Sequence, residues 1–208
     1  MSATANFAHQ LSSKAKMDNN PAHKIIIVTA PSGAGKTSIT RHLLQTFPDK
    51  IAFSISAATR EQRANEKEGV DYYFMSQEQL THKIQNEEFI EWEMVYEGKY
   101  YGTLKSELKR IWEQGKIPLL DIDVKGAIHV QQQFPNTTLS LFIEPPSIDE
   151  LQRRLNYRGT ENDESLQARV SKAAYELSLK HSFHHVILNH DLQQARSETE
   201  RIVLAFIK

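Results

Sequence analysis

Apolar residues change their spacing along the chain, and the changes mark its elements. Ile25-Ile26-Ile27-Val28 is a short β-branched run, the pattern of a strand buried on both faces. A Gly-containing turn follows, and then Ile39, Leu43, Leu44 and Phe47 recur at helical spacing until Pro48. Residues 51–58 read as a second strand. From Thr59 to about Thr103 polar segments alternate with aromatics, and Ser76 with Gln79 makes a capping box ahead of a short helix carrying Leu80 and Ile84. Leu104, Leu108, Ile111 and Trp112 mark a further helix, with Gly115 suited to its C′ position. Ile117–Asp121 reads as an apolar strand ending in an acid. Val124 to Gln133 then reads as a helix and Leu139 to Ile143 as a strand. Ser147 and Glu150 form a second capping box before a polar, Arg-rich segment from Leu151 to about Ser171. A helix carrying Val170, Ala174 and Leu177, a strand at Val186–Leu188 and a last helix from Leu192 to Phe206 complete the chain.

Strand, turn and helix in repeated order predict an α/β fold: a parallel sheet flanked by helices in three αβα layers. The core spans residues 24–54, 104–146 and 172–208. Residues 55–103 read as a mixed α+β insertion and 147–171 as a helical lid. Residues 1–23 are rich in Ala, Ser, Asn and Lys and poor in large apolar side chains, so they read as a disordered tail, with Met17 a candidate true start.

Composition narrows the chemistry. Cys is absent from the 208 residues, which excludes disulfides, thiol catalysis and Cys-based metal sites. Twenty-five basic against 26 acidic side chains give no global basic field, so nucleic acid is not an expected partner. No apolar run reaches the ~18 residues of a membrane span, so a membrane is not one either. A cytoplasmic location is the expectation. The oligomeric state, monomer or homodimer, is not written in the sequence. His181, His184, His185 and His190 cluster, but adjacent His184 and His185 point to opposite strand faces, which is poor ligand geometry.

Between the first strand and the first helix stands Ala30-Pro31-Ser32-Gly33-Ala34-Gly35-Lys36-Thr37, in the context a phosphate loop requires. Glycines let the backbone curl around a phosphate, and the helix N-terminus presents N–H groups to the anion. Ser32, Gly33, Ala34, Gly35, Lys36, Thr37 and Ser38 are the expected ATP phosphate contacts. Lys36 reaches the β- and γ-phosphates, and the Thr37 hydroxyl ligates Mg²⁺. Ala30 departs from the motif, which has Gly there. Asp121 and Asp123 end a strand at the edge where parallel sheets bind ligands, which makes them candidates for a second metal contact; Asp121 is the one assigned.

Six separated blocks follow in a recognisable order: Ser54–Arg63 with Glu66, Gly69 and Asp71–Phe74; Phe89-Ile90-Glu91-Trp92; Tyr100–Thr103; Leu120–Asp123 with Gly126; Phe142–Ser147; and Arg154-Leu155 to Arg158–Glu161. From Lys24 to Lys208 the chain thereby resembles the guanylate kinases. The resemblance implies phosphoryl transfer from ATP to GMP, with dGMP a second substrate and Mg²⁺ as cofactor. It implies that Arg60, Arg63, Tyr72 and Tyr101 hold the GMP phosphate. Ser56, Glu91, Thr103 and Asp123 would read guanine, with Glu66 near that pocket. Arg154, Arg158 and Arg169 would be catalytic lid arginines beside Lys36, and Asn189 would lie on the adenine side. Asn189-His190 stands where the family usually has Asn-Asp, and Ala57-Ala58 where hydroxyl residues are common.

The chemistry of the residues agrees. Guanine presents N1–H and an exocyclic amine side by side, and one carboxylate accepts from both; Ser and Thr hydroxyls donate to O6. Adenine reverses both signs, and unpaired buried groups allow discrimination of ~10⁴. Two other readings stay open at this stage: a related kinase for an acceptor such as ribose 1,5-bisphosphate, and a non-catalytic guanylate-kinase-like interaction module.

Overall fold

The computed structural model describes residues 23–157 and 163–208. The Ile25–Val28 run forms β1, Ile25–Thr29, with every residue buried. Its side chains alternate between two cores. Ile26 and Val28 pack with Ile39 and Leu43 of α1 (Lys36–Thr46) and with Ile202 and Val203 near the C-terminus. Ile25 and Ile27 face Leu108, Val124, Ala127 and Val130 on the opposite side. Both faces of one central strand are thus covered by helices, and the apolar run is continuous for that reason.

Five parallel strands make this sheet, in the order β2 (Ile51–Phe53), β7 (Ile117–Asp121), β1, β8 (Thr138–Glu144) and β9 (His185–Leu188). Val28 pairs with Asp121, so the ends of β1 and β7 lie side by side. That register brings the acid at the end of β7 beside the turn leaving β1.

Residues 51–58 are not one strand. Ile51–Phe53 belongs to the parallel sheet, and β3 (Ser56–Ala58) belongs to a second, four-stranded sheet of order β4 (Tyr72–Phe74), β3, β6 (Lys99–Leu104), β5 (Phe89–Tyr96). The cause is a long-range bond. The Ile55 N–H donates to the Glu107 carboxylate at 3.0 Å instead of continuing a ladder. Glu107 sits in α3 (Lys105–Glu113) and also accepts from the Tyr73 hydroxyl at 3.1 Å and from Arg110 at 2.6 and 3.0 Å. Burial alone would raise its pKa, but these donors outweigh burial and hold it below the ordinary carboxylate range. One satisfied buried carboxylate therefore fixes where the chain passes from one sheet to the other.

The Ser76–Gln79 capping box closes as expected at the start of α2 (Gln77–Gln85), whose Leu80 packs with Ala57, Phe89 and Leu104. Gly115 takes φ 69 after α3. The second box is different: Ser147 Oγ accepts from the Glu150 N–H, but the Glu150 carboxylate is bonded to Arg153 and Arg154. Helix α4 is Val124–Gln133, as the sequence predicts, and is capped by Asp123. Helices α5 (Ile148–Tyr157) and α6 (Asp163–Ser178) flank residues 158–162, and α7 (Leu192–Ile207) ends the chain. The expected tail, apart from His23 stacked on Trp112 at 4.3 Å, and the Arg158 assignment lie outside the described residues. Among the described residues no helix is long and apolar enough to cross a membrane.

Candidate active site

The loop after β1 curls at two glycines. Gly33 has φ 90 and Gly35, at the N-cap of α1, φ 99, a region other residues rarely adopt. Ala30 is not at positive φ and is buried in the core under the sheet, so the missing first glycine demands nothing of the backbone here. Ala34 is wholly buried and its carbonyl points inward. Lys36 opens α1. Its Nζ lies 2.5 Å from Asp121 Oδ1 and donates to the Ile122 carbonyl at 3.1 Å. Burial works against the ammonium, but Asp121, with Asp123 behind it, outweighs burial and raises the Lys36 pKa. The Thr37 side chain is exposed.

Together these groups form one wall of a cleft of about 300 Å³. Ser32, Gly33, Gly35, Lys36, Thr37 and Ser38 line it with Asp121 and Asp123 at the end of β7. The second sheet contributes Ser56, Tyr72 and Tyr101, and α6 contributes Arg169. Parallel strands open their C-terminal ends here, where the N–H groups and the helix dipole favour an anion.

Arg60 stacks over Tyr72, 4.8 Å from its ring centroid, and Tyr72 meets Tyr101 edge-on at 5.9 Å. Its guanidinium forks onto Glu66 with bonds of 2.6 and 2.5 Å, and the Arg63 N–H donates to the same carboxylate at 2.9 Å. Those bonds, Arg60 first, hold Glu66 down to about 2, so the pair is fully charged near neutrality. Glu66 is therefore tied to the arginine, not to an open pocket. The Arg63 side chain is largely exposed.

Glu91 is 5% exposed and accepts from Thr103 Oγ1 at 2.6 Å. Burial pushes it up to about 8, against the Thr103 bond, with the charges of Asp123 and Glu93 adding to the rise. Its other oxygen packs against Gly126, whose N–H donates to Asp123 Oδ1 at 2.9 Å. A Cβ on Gly126 would overlap Glu91 Oε2 and lie 3.2 Å from Asp123 Oδ1. Alanine normally stabilises a helix interior by ~1 kcal/mol relative to glycine. At Gly126 the sign reverses: Gly126→Ala is expected to destabilise the fold by roughly 1–3 kcal/mol through overpacking, read as a lowered thermal midpoint.

Some residues of the cleft carried no motif. Lys172 and Glu176 line it, with Val95 and Tyr96. Lys172 Nζ lies 3.4 Å from Glu176 Oε1 and 3.9 Å from Asp123 Oδ2, donates to the Val95 carbonyl, and stands 5.3 Å from the Tyr96 ring. Arg169, Lys172 and Glu176 follow the i, i+3, i+7 spacing of one helix face, the signal that could have found them. Arg154 is paired with Glu150 at 2.8 Å, away from the cleft lining. The side chain of Asn189 is buried and donates to the Ala34 carbonyl at 2.7 Å. His181, His184, His185 and His190 are exposed, and His184 Nδ1 accepts from the Ser140 N–H at 3.2 Å.

Comparison with known proteins adds the family. The guanylate kinase family profile matches residues 22–205. The chain is 46% identical over 187 residues to the guanylate kinase of Salinibacter ruber, covering 90% of this chain and 98% of that protein. It is 42% identical over 184 residues to the guanylate kinase of Bacteroides thetaiotaomicron, covering 88% and 90% respectively. The crystal structure of guanylate kinase from Anaplasma phagocytophilum superposes with a TM-score of 0.70 at 31% identity, over 88% of this chain and 85% of that one. A profile that spans the phosphate loop, both sheets and the last helix leaves no core element unmatched: the chain belongs to the guanylate kinase family.

Proposed function

We propose that the protein transfers the γ-phosphoryl group of ATP to GMP, yielding ADP and GDP, and accepts dGMP as well. The observation that carries this reading is the buried Glu91–Thr103 pair, which lies outside the cleft lining but directly behind Asp123, a residue that lines the cleft together with the phosphate loop. The Glu91 carboxylate matches the two N–H donors of guanine and the Ser56 hydroxyl in the cleft lining matches its O6 acceptor, a set that an acceptor lacking a base would not need. Thr103, whose hydroxyl proton goes to Glu91, holds the carboxylate in place. The intact Lys36, Thr37 and Arg169 favour catalysis over a purely binding module.

The nucleophile is a GMP phosphate oxygen. It is already ionised near neutrality, so no protein base has to remove a proton. The oxygen forms a bond to the γ-phosphorus as the β–γ bridging P–O bond breaks, and the electron pair leaves on ADP. A loose transition state of this kind needs alignment and charge neutralisation. Lys36 and the N–H groups of Gly33, Gly35, Lys36 and Thr37 supply them to the donor, while the Ala34 and Ser38 N–H groups are bonded to the Pro31 and Gly35 carbonyls at 3.1 Å. Arg60, Arg63, Tyr72 and Tyr101 hold the acceptor phosphate, and Arg169, in the cleft lining, serves the transferred group. Arg154, which is paired with Glu150 in this structure, and Arg158 would join it only on release of that pairing and closure of the lid. For such a lid, the stretch 147–171 is our assignment, as 55–103 is for the GMP-binding insertion.

Thr37 and Asp121 form an all-oxygen donor pair that fits Mg²⁺, which keeps most of its shell for water and phosphate. When bound, the ion supplies charge neutralisation on the β- and γ-phosphates. Lys36 exchanges its Asp121 partner for phosphate in the loaded enzyme.

Glu66 serves this site by holding Arg60 in place. Without it, a long side chain must be ordered at the moment of binding, at ~0.5–1.5 kcal/mol. Glu66→Gln is therefore expected to raise KM for GMP by about three- to tenfold and leave KM for ATP unchanged, measured by steady-state kinetics with each substrate varied. Equal changes in both constants would remove Glu66 from this role. The reaction itself is tested by product analysis. Incubation with ATP, GMP and Mg²⁺ should yield GDP and ADP in equal amounts; ADP without GDP would contradict the proposal.

A further inference from the structure

Asn189 follows β9 and stands at the far side of the phosphate loop. Its backbone N–H donates to the Glu144 carbonyl at 2.7 Å, which ties it to the end of β8. Two residues later Asp191 caps α7 through the Gln194 N–H at 2.8 Å, so the chain on either side of Asn189 is anchored. Only 4% of Asn189 is exposed, and its Nδ2 donates to the Ala34 carbonyl at 2.7 Å. The loop is fitted around this side chain. Gly35 takes φ 99, and a Cβ there would collide with Asn189 Nδ2.

The peptide bond makes this contact consequential. In a planar trans peptide the carbonyl of one residue and the N–H of the next point in opposite directions. Holding the Ala34 carbonyl inward therefore turns the Gly35 N–H outward, and Gly35 lines the cleft. A free loop could rotate that plane and present a carbonyl oxygen, which repels phosphate, where an N–H should stand. We propose that Asn189 is a positioning residue for the phosphate loop: it fixes the Ala34–Gly35 peptide so that the loop presents donors to the triphosphate of any nucleotide, and it does not read the base of the donor. This rests on the reading of the loop as the triphosphate site.

The two roles differ in what they make the enzyme sensitive to. A base contact affects ATP and not a nucleotide with another base. A loop clamp affects every triphosphate alike, including one with no base at all. The test is calorimetric titration of the full chain, wild type and Asn189→Ala, with ATP, CTP, inorganic tripolyphosphate and, separately, GMP. Loss of one buried hydrogen bond to the loop should weaken all three triphosphate ligands by a common factor of about ten. GMP affinity should stay within about twofold, which also reports an intact fold. Weakening confined to ATP would overturn the proposal in favour of a base contact. No change, or equal weakening of GMP, would overturn it as well. If the wild type binds no triphosphate, the reading of the loop itself fails, which is a distinguishable result. Should the alanine variant not fold, Asn189→Ser leaves a small polar side chain that is too short to reach the Ala34 carbonyl. The same common factor is expected for it, and its absence is equally decisive.

Discussion

Replacing Lys36 with methionine is expected to lower kcat by on the order of 10³-fold or more while leaving the fold in place. The ammonium sits between the phosphate loop and the end of β7, 2.5 Å from Asp121. Burial opposes its charge, yet the neighbouring acids outweigh burial and raise its pKa, so it is charged near neutrality. Charge at that point is useful only when it meets the phosphoryl group in flight, so its removal acts on the transition state more than on binding. Methionine preserves the length and the packing of the stem. Asp121 loses its partner but keeps access to water, so the thermal midpoint should fall by only a few degrees. Stopped and steady-state turnover assays beside a melting curve check both halves. A variant keeping a tenth of its kcat would remove Lys36 from the reaction.

The second large effect is expected at Glu91. Guanine needs two acceptors side by side, and Glu91→Gln offers one acceptor and one donor. Losing a charge-assisted bond and facing donor with donor should lower kcat/KM for GMP by about 10³-fold, on the order of 4 kcal/mol. The fold should not suffer. With its pKa at about 8 the buried acid is largely neutral near pH 7, so glutamine resembles the form the folded protein already holds. The sign of the pH dependence follows. The folded state keeps a proton that the unfolded state releases from its ordinary 4.5 upward, so stability falls as pH rises from about 4.5 through about 8. Glu91→Gln loses that slope, and its melting midpoint relative to wild type should rise across that range. GMP binding runs the other way. It requires the ionised carboxylate, so wild-type affinity should rise with pH up to about 8 more steeply than that of the variant. Parallel profiles of the two proteins would show that Glu91 does not titrate on binding.

Much of this site was legible because its signals are local. The β-branched run at Ile25–Val28, the glycines before Lys36 and the Ser76–Gln79 capping box each specify their own conformation, and the corresponding elements appear where expected. What the sequence concealed is long-range. Nothing near Ile55 announces that Glu107 will take its N–H and divide residues 51–58 between two sheets. Glu66 read as a pocket residue because its bidentate partner depends on a turn that no pattern encodes. Lys172 and Glu176 belong to no motif, and only the docking of α6 beside Asp123 brings them to the cleft. Asn189, read from family likeness as an adenine neighbour, is bonded to the loop by a contact between residues 155 apart in the chain.

The most direct test of the account is a coupled assay of ADP release with ATP and Mg²⁺, comparing GMP, dGMP, AMP, CMP, UMP and ribose 1,5-bisphosphate as acceptors. Turnover is expected with GMP and dGMP at kcat/KM values ~10³–10⁴-fold above AMP and the pyrimidine nucleotides, and none with the bisphosphate. Turnover with another acceptor at a rate matching or exceeding that with GMP would contradict it.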